Sequence, residues 1–145
     1  MMAVQVVIFA LGHEEYAMPI DVVREITRLN DMLEIPQAPS YILGLINLRG
    51  KAIPLIDLHK RFNLKEPSEN SLALITEVHG DEVGFAVDSV HEVRILDNVA
   101  APPSIVQAPF VGGIVNLENR MIIQLIPEQI LENSVVKELG QLITR

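Results

Sequence analysis

Four histidines are the side chains of this sequence best suited to metal or acid–base chemistry. His13, His59, His79 and His91 are scattered, and no HExxH, HxH or Cys/His cluster brings two of them to metal-ligand spacing. Two of them fall in predicted turns and His59 at a predicted helix start. The sequence therefore favours solvated histidines, and it predicts neither a metal site nor a cofactor.

Asp21 and Asp88 are a pair of carboxylates in equivalent sequence contexts, which invites a general acid–base hypothesis. Each follows an apolar strand and precedes a valine and a glutamate, where an Asp side chain caps the following turn. Capping is the favoured role. No serine has a nucleophile-elbow context and no glycine-rich phosphate loop occurs. The sequence predicts no enzyme, with a small hydrolytic or ligand-binding β-barrel as the alternative from another class.

Composition narrows the class of protein further. The chain has 145 residues, 49% hydrophobic and 4% aromatic, with a net charge of −8 and no cysteine. This size and apolar content can bury one aliphatic core of Val, Ile and Leu, which suits strands. The acidity argues against nucleic-acid binding, which depends on phosphate neutralisation. Charges interrupt every apolar stretch and no basic segment precedes the first one, so we expect no membrane insertion and no signal peptide.

An internal repeat shows how the chain is organised around any functional site. Residues 44–58 (GLINLRGKAIPLIDL) align with residues 113–126 (GIVNLENRMIIQLI), an offset of 69. Upstream, residues 17–26 (AMPIDVVREI) align with residues 84–93 (GFAVDSVHEV), an offset of 67. Two matches in the same order and nearly the same phase indicate two structurally similar halves. In each hairpin copy, two apolar runs flank a polar turn, which is typical of a β-hairpin.

The repeat predicts an all-β fold of two five-strand sets, arranged as paired small β-barrels. The halves span about 1–66 and 71–126, and the polar residues 65–70 form the linker. Exchange of strands between the barrels stays open. A short C-terminal helix is predicted over about 127–140, with Pro127 in its first turn.

A specific resemblance is carried by the first hairpin. Its run Asn47-Leu48-Arg49-Gly50, followed by Pro54, Asp57 and Leu58, resembles the signature of the CheW-like domain of bacterial chemotaxis. The flanking segments agree in order, so the resemblance covers residues 1–145 as a single domain. It implies two five-stranded SH3-like β-barrels around a shared core. It also implies a cytoplasmic adaptor without cofactor, recruited to receptor arrays at the membrane, which couples the cytoplasmic tip of methyl-accepting chemotaxis receptors to the regulatory domain of the histidine kinase CheA.

The same resemblance implies the contact residues. An apolar groove between the barrels would bind the receptor through Val7, Ile20, Val23, Ile26, Arg49 and Val90. The kinase contact would lie around Glu25, Thr27, Arg28, Leu29 and Leu33. An array-forming contact is expected near residues 98–109. From the residues alone, the apolar side chains are either a surface groove or ordinary core.

Arg49 has a structural and a functional interpretation. It is either an exposed turn residue paired with a local acid or an anchor for a partner carboxylate. The second hairpin copy has Glu118 at this position, so the fold does not require arginine, and we favour the functional interpretation. A CheW-like scaffold of a different kinase pathway remains an alternative for the whole chain.

Overall fold

The computed structural model describes residues 3–29, 31–66 and 69–143, except for the side chains of Asn133 and residues 141–143. The predicted linker is thus described only in part. The first half contains β1 (Val4–Leu11), β2 (Glu14–Pro19), a 3₁₀ turn (Ile20–Val22), β3 (Val23–Arg28), β4 (Ile42–Leu48), β5 (Lys51–Asp57) and α1 (Leu58–Arg61). The second contains β6 (Leu72–Val78), β7 (Asp81–Val87), β8 (Ser89–Leu96), β9 (Val111–Leu117), β10 (Arg120–Leu125), α2 (Pro127–Ile130) and α3 (Asn133–Ile143).

The ten described strands form two five-stranded sheets, which confirms the all-β prediction. Sheet A has the order β8-β1-β2-β10-β9, and sheet B has the order β3-β6-β7-β5-β4. Each sheet takes two adjacent strands from one sequence half and three from the other, so strands are exchanged between the halves. In each sheet the halves meet at two places: a parallel pairing (β2 with β10, β5 with β7) and an antiparallel pairing (β1 with β8, β3 with β6). Swapping the two halves converts one strand order into the other.

Three apolar clusters form the core. Sheet A encloses a small cluster built from Val6, Ile8, Ala17, Leu96, Val115 and Ile122. Sheet B encloses its counterpart, built from Ile46, Ile53, Leu55, Ala73 and Ile75. A larger cluster, the shared core, lies between the sheets and includes Val7, Phe9, Met18, Leu74 and Phe85. Because side chains alternate along a strand, β1 and β6 supply their own sheet's cluster with one face and the shared core with the other.

Each sheet closes on itself through a single bridge. Leu33, beyond the edge strand β3, exchanges backbone hydrogen bonds of 2.9 and 2.8 Å with Leu45 on the opposite edge strand, β4. Ala100 and Ile114 do the same for sheet A. A β-carbon on Gly44 would lie 2.5 Å from the Leu33 carbonyl oxygen. At the repeat-related Gly113, a β-carbon would be crowded in the same way by the bridge segment of sheet A, at Ala100. The glycines shared by both copies are therefore needed for closure.

The C-terminal prediction is corrected in one respect. The single helix expected over about 127–140 is two helices, because Leu131 is extended and ends α2. Helix α2 stands 69 residues after α1, at the repeat offset, so the second half repeats the short helix of the first. Gly140 does not end α3, which continues to Ile143. Asp57 caps α1 as a conventional N-cap and accepts a 3.2 Å hydrogen bond from the Lys60 amide.

Asp88 fastens the junction between the halves. Its carboxylate accepts hydrogen bonds from the Gly12 amide at 2.6 Å, the Glu69 amide at 2.9 Å and the Asn70 amide at 3.2 Å. The ring of His59 completes the set at 2.9 Å. Burial alone raises the pKa of Asp88, but the hydrogen bonds from Gly12, His59 and the two linker amides outweigh it and hold that pKa below its ordinary value.

The prediction of solvated histidines is wrong for two of the four. His59 is 3% exposed, and its second ring nitrogen faces the Glu66 carbonyl at 3.0 Å. His79 bonds through one ring nitrogen to the carbonyls of Glu128 and Leu131, at 2.9 and 3.0 Å. The His79 ring therefore satisfies backbone groups that are distant in sequence, whereas the His59 ring joins the nearby Glu66 carbonyl to the distant Asp88 carboxylate.

Two glycine-to-alanine substitutions, one at a closure bridge and one in a helix, are expected to have opposite effects on stability. Gly44→Ala is expected to destabilise the fold by about 1–3 kcal/mol, because the new methyl group displaces the Leu33 backbone. Gly140→Ala is expected to stabilise it by about 0.5–1 kcal/mol, since a helical position gains propensity and the new methyl group would meet only the Asp81 carboxylate oxygens, at 3.9 and 4.0 Å. Chemical denaturation of the variants measures both. Equal shifts of the same sign would contradict the assignment of Gly44 to closure.

Asp88 also predicts a pH dependence. Its pKa is lower in the folded than in the unfolded chain, so its contribution is present above about pH 4 and disappears as the pH falls below that value. Asp88→Asn should lower the free energy of unfolding at pH 7 by about 1–3 kcal/mol and flatten its acid dependence. Asp21→Asn, at the exposed repeat mate, is the matched control and should change it by about 0.5 kcal/mol at most. Denaturation between pH 3 and 7 tests both; an unchanged acid slope in Asp88→Asn would refute this role.

Candidate functional site

The shared core reaches the surface along the two edge strands β3 and β8. A β-bulge between Val23 and Glu25 sets Val23 and Ile26 on the same side of sheet B, facing the shared core. β8 has a bulge at the equivalent place opposite β1. Ile26 is 44% exposed, and its repeat mate Val93 is 49% exposed. We define the shared-core rim as Ile20, Val23, Ile26, Val90 and Val93.

Two corrections to the predicted receptor groove follow. Val7 is only 2% exposed and lies opposite Val93 on the central strand β1, so it supports the rim from below and offers no contact surface. Val93 was missed. The repeat itself held the signal, because Val93 stands 67 residues after Ile26. The other predicted apolar residues, Ile20, Val23 and Val90, are half-buried at the margin of the shared core.

Arg49 occupies the tip of the β4–β5 turn. Arg49 and Gly50 both have positive φ, 51° and 82°, as a two-residue hairpin turn of type I′ requires. The Asn47 side chain accepts a 3.0 Å hydrogen bond from the Gly50 amide and holds the turn. The Arg49 guanidinium is paired with Glu25 on β3 while its side chain stays 70% exposed. This ion pair joins the two edges of sheet B and leaves most of the guanidinium available to a partner.

The equivalent place on sheet A has the opposite chemistry. Glu92 and Glu118 stand where Glu25 and Arg49 stand in the first half, and Arg94 bridges them at 3.1 and 3.0 Å. These bonds raise the pKa of Arg94, and the Arg94 hydrogen bond lowers that of Glu118. The guanidinium is thus held between two acids of its own chain. The fold needs an ion pair across the edges, but it does not need an exposed arginine at the turn.

A second arginine on sheet A, Arg120, is also held by an acid of its own chain. Arg120 donates two hydrogen bonds to Glu15, at 2.8 and 2.7 Å, and His91 lies 2.9 Å from the same carboxylate. The Arg120 hydrogen bond, above the contribution of His91, lowers the pKa of Glu15 to about 2. This carboxylate is therefore ionised and occupied at neutral pH.

The predicted kinase-contact residues do not share one face. Thr27 and Leu29 lie on the side of sheet B's own cluster, as does the paired Glu25, whereas Arg28 is exposed on the opposite side. Leu33 is 69% exposed beside the closure bridge and lines an open cleft with Leu45. Of this set, Arg28 and Leu33 are the residues that present substantial free surface.

The segment around residues 98–109 is irregular, as its prolines predict, apart from the bridge at Ala100. Its apolar tip is open, with Ile105 85% exposed and Val106 38% exposed. Large exposed aliphatic side chains of this kind mark surfaces that contact other proteins.

Several ionisable groups of the described residues form ion pairs at the surface. Within this part of the chain, no three His, Asp or Glu side chains are grouped as a metal site requires. Nor does any described helix have the length and apolar character needed to cross a membrane. A rim of aliphatic side chains beside one exposed arginine can bind an apolar helix and its polar margin.

The fold and the rim define a class: a β-sheet interaction module built from two exchanged repeats. Comparison with known proteins identifies the family. The CheW-like domain family matches residues 5–135, and the chain belongs to it.

Individual relatives agree with this assignment. The chain is 32% identical to the chemotaxis protein CheW of Treponema pallidum, over 95% of this chain and 88% of that protein. It is 31% identical to CheW of Bacillus subtilis, over 81% and 80%. The crystal structure of the scaffolding protein TtCheW from Thermoanaerobacter tengcongensis is similar with a TM-score of 0.83 and 37% identity, covering 90% of this chain and 94% of that one.

The two edge ion pairs predict unequal effects of removing their arginines. Arg49→Met should lower the melting temperature by about 2 °C or less, because an exposed single pair contributes little. Arg94→Met should lower it more, because Glu118 loses its hydrogen-bonded cation and Glu92 keeps only the longer contact with Arg120, at 3.7 Å. Thermal unfolding at low ionic strength compares them. The reverse order would show that Arg49 is the structural residue.

Proposed function

We propose that this chain is a non-catalytic adaptor of bacterial chemotaxis that couples methyl-accepting receptors to the histidine kinase CheA. The observation that carries the proposal is Arg49, exposed at the tip of the hairpin that bears the family motif and tied through Glu25 to the strand of the rim. Relatives of this chain are named chemotaxis and scaffolding proteins, which supports the same conclusion. No cofactor enters the mechanism.

The receptor contact is proposed along the shared-core rim. The cytoplasmic hairpin tip of a receptor is helical, and an amphipathic helix binds through aliphatic anchors spaced along one face. Ile26 supplies exposed aliphatic surface, with Ile20, Val23 and Val90 half-buried beside it. Arg49 then meets a carboxylate or a helix C-terminus at the polar margin, where a bidentate guanidinium fixes register.

The kinase contact is proposed at β3 and the segment that follows it. Leu33 and Arg28 form its exposed part, with Glu25, Thr27 and Leu29 supporting the strand that presents them. Because Arg49 pairs with Glu25, the two contacts share one ion pair, and a change of one partner can alter the other. The proposed contacts imply an adaptor that works in the cytoplasm and is recruited to receptor arrays, with the segment at 98–109 available for an array contact.

A CheW-like scaffold of another kinase pathway would use the same surfaces and differ only in its partners. A ligand-binding or hydrolytic β-barrel is not favoured, since Arg49, Arg94 and Arg120 pair with carboxylates of the chain and no three His, Asp or Glu side chains of the described residues are grouped as a metal site requires.

A binding experiment with purified components tests the adaptor. The chain should retain both a receptor cytoplasmic fragment and a CheA regulatory domain at micromolar concentration. Arg49→Glu and Ile26→Asp should each weaken receptor binding by about tenfold, because both remove a central anchor. Lys51→Glu is the matched control: it lies in the same hairpin, is equally exposed at 70%, and carries the same charge change.

The kinase arm uses Leu33→Asp, which should weaken CheA binding and leave receptor binding unchanged. Retention of neither partner would refute the adaptor, and equal losses in Lys51→Glu and Arg49→Glu would reduce the role of Arg49 to net charge. Retention of a kinase and receptor from another pathway in place of these would support the alternative scaffold.

A further inference from the structure

Helix α3 covers a groove on sheet B. The floor and walls of this groove come from Ala52, Pro54 and Lys51 of β5 and from Asp81 and Glu82 of β7. On the helix, Val136 is 1% exposed and Leu139 is 9% exposed, three residues apart on one face. Lys137 lies beside them, with its ammonium 3.5 Å from the Asp81 carboxylate. The groove thus takes two aliphatic residues and one cation of an amphipathic helix.

The repeat creates the same groove on sheet A. The offset of 67 carries Asp81 and Glu82 to Glu14 and Glu15, and the offset of 69 carries Lys51, Ala52 and Pro54 to Arg120, Met121 and Ile123. With His13, these five residues line one open concavity. All its lining residues belong to β2, β10 and the β1–β2 turn, so no described helix residue contributes to it. We name it the open groove.

The chemistry of the open groove differs from its mate in two ways. Met121 and Ile123 replace Ala52 and Pro54, which gives a larger and more adaptable apolar floor, and Met121 remains 61% exposed. Glu15 is occupied by Arg120, as described above. Glu14, in the place of Asp81, is exposed and accepts only a 3.1 Å bond from the Tyr16 hydroxyl among the described residues. A carboxylate has capacity for further donors, so the free charge of the groove is negative.

We propose that the open groove binds an amphipathic helix of a partner protein, with a lysine or arginine facing Glu14 and two aliphatic residues, spaced by three, over Met121 and Ile123. This is the pattern that Val136, Lys137 and Leu139 present to sheet B. The site is separate from the rim and from Leu33, so it is a further contact surface and does not depend on the proposed receptor and kinase contacts.

The partner is a different protein and not α3 of a second copy. Val136 and Leu139 are already buried in their own groove, and α3 is tethered there at high effective concentration. A second copy would have to expose that face of its own sheet B before donating its helix. A helix of a different protein binds without this free-energy cost.

The test uses a fluorescent peptide of residues 127–143 as the probe, because its sequence carries the required pattern, and the full-length protein as the receptor. Fluorescence anisotropy should show saturable binding. Met121→Asp should weaken it by about tenfold, since it puts a charge on the apolar floor. Glu14→Lys should weaken it by about threefold, and the peptide variant Lys137→Glu should restore binding to Glu14→Lys.

The internal symmetry supplies the matched control, Asp81→Lys, which makes the same charge change in the covered groove. It should leave peptide binding unchanged. If Asp81→Lys changes the affinity as much as Glu14→Lys, the peptide is displacing α3 and the proposal is wrong. A concentration-dependent dimer in sedimentation that Met121→Asp abolishes would assign the groove to a second copy and overturn the partner helix. Absence of saturable binding by the peptide would overturn it as well.

Discussion

The parallel pairings of β2 with β10 and of β5 with β7 are the constraint on which the rest of this molecule depends. Each joins two strands of one sequence half to two of the other, and the antiparallel pairings β1 with β8 and β3 with β6 add the fifth strand, so neither half can complete a sheet alone. The central strands β1 and β6 are buried on both faces, one toward their own sheet and one toward the shared core. Sheet formation and core formation are therefore coupled over long sequence separations, and we expect the two halves to fold as one cooperative unit.

A duplicated backbone with different side chains at the turns explains how a symmetric fold carries an asymmetric surface. Both halves close their sheets with a glycine-dependent bridge and an ion pair across the edges. In sheet A, Arg94 performs that task between two acids, which releases the turn position to become Glu118. In sheet B, the turn residue Arg49 performs it and also remains exposed. One residue thus joins the sheet edges and presents a guanidinium to solvent, so the asymmetry places a positive charge on only one of two equivalent turns.

Local features of the fold were predictable because their causes are local. Alternating apolar runs and short polar turns predict the hairpins, and Asp57 before α1 predicts a cap. The pairing of distant strands was not predictable, since parallel pairing leaves no turn in the sequence. Val7 was assigned to a surface because β1 is apolar on both faces, so its alternation does not tell which face is covered. His59 and His79 were taken as solvated because each has a partner that is distant in sequence: the Asp88 carboxylate lies 29 residues after His59, and the Glu128 carbonyl lies 49 residues after His79.

The exposed part of the rim follows from the geometry of edge strands. β3 and β8 each pair on one side only, and their bulges keep both Val23 and Ile26, or Val90 and Val93, directed to the shared core. The inner members of these pairs are covered, but no further strand covers the outer ones, so Ile26 and Val93 stay about half exposed. A polar residue at either position would remove this exposed apolar surface without loss of core volume. Exposed aliphatic side chains at both repeat-related positions give the adaptor an apolar rim shared by the two halves, and the exposed guanidinium of Arg49, paired with Glu25, adds a charge at its polar margin.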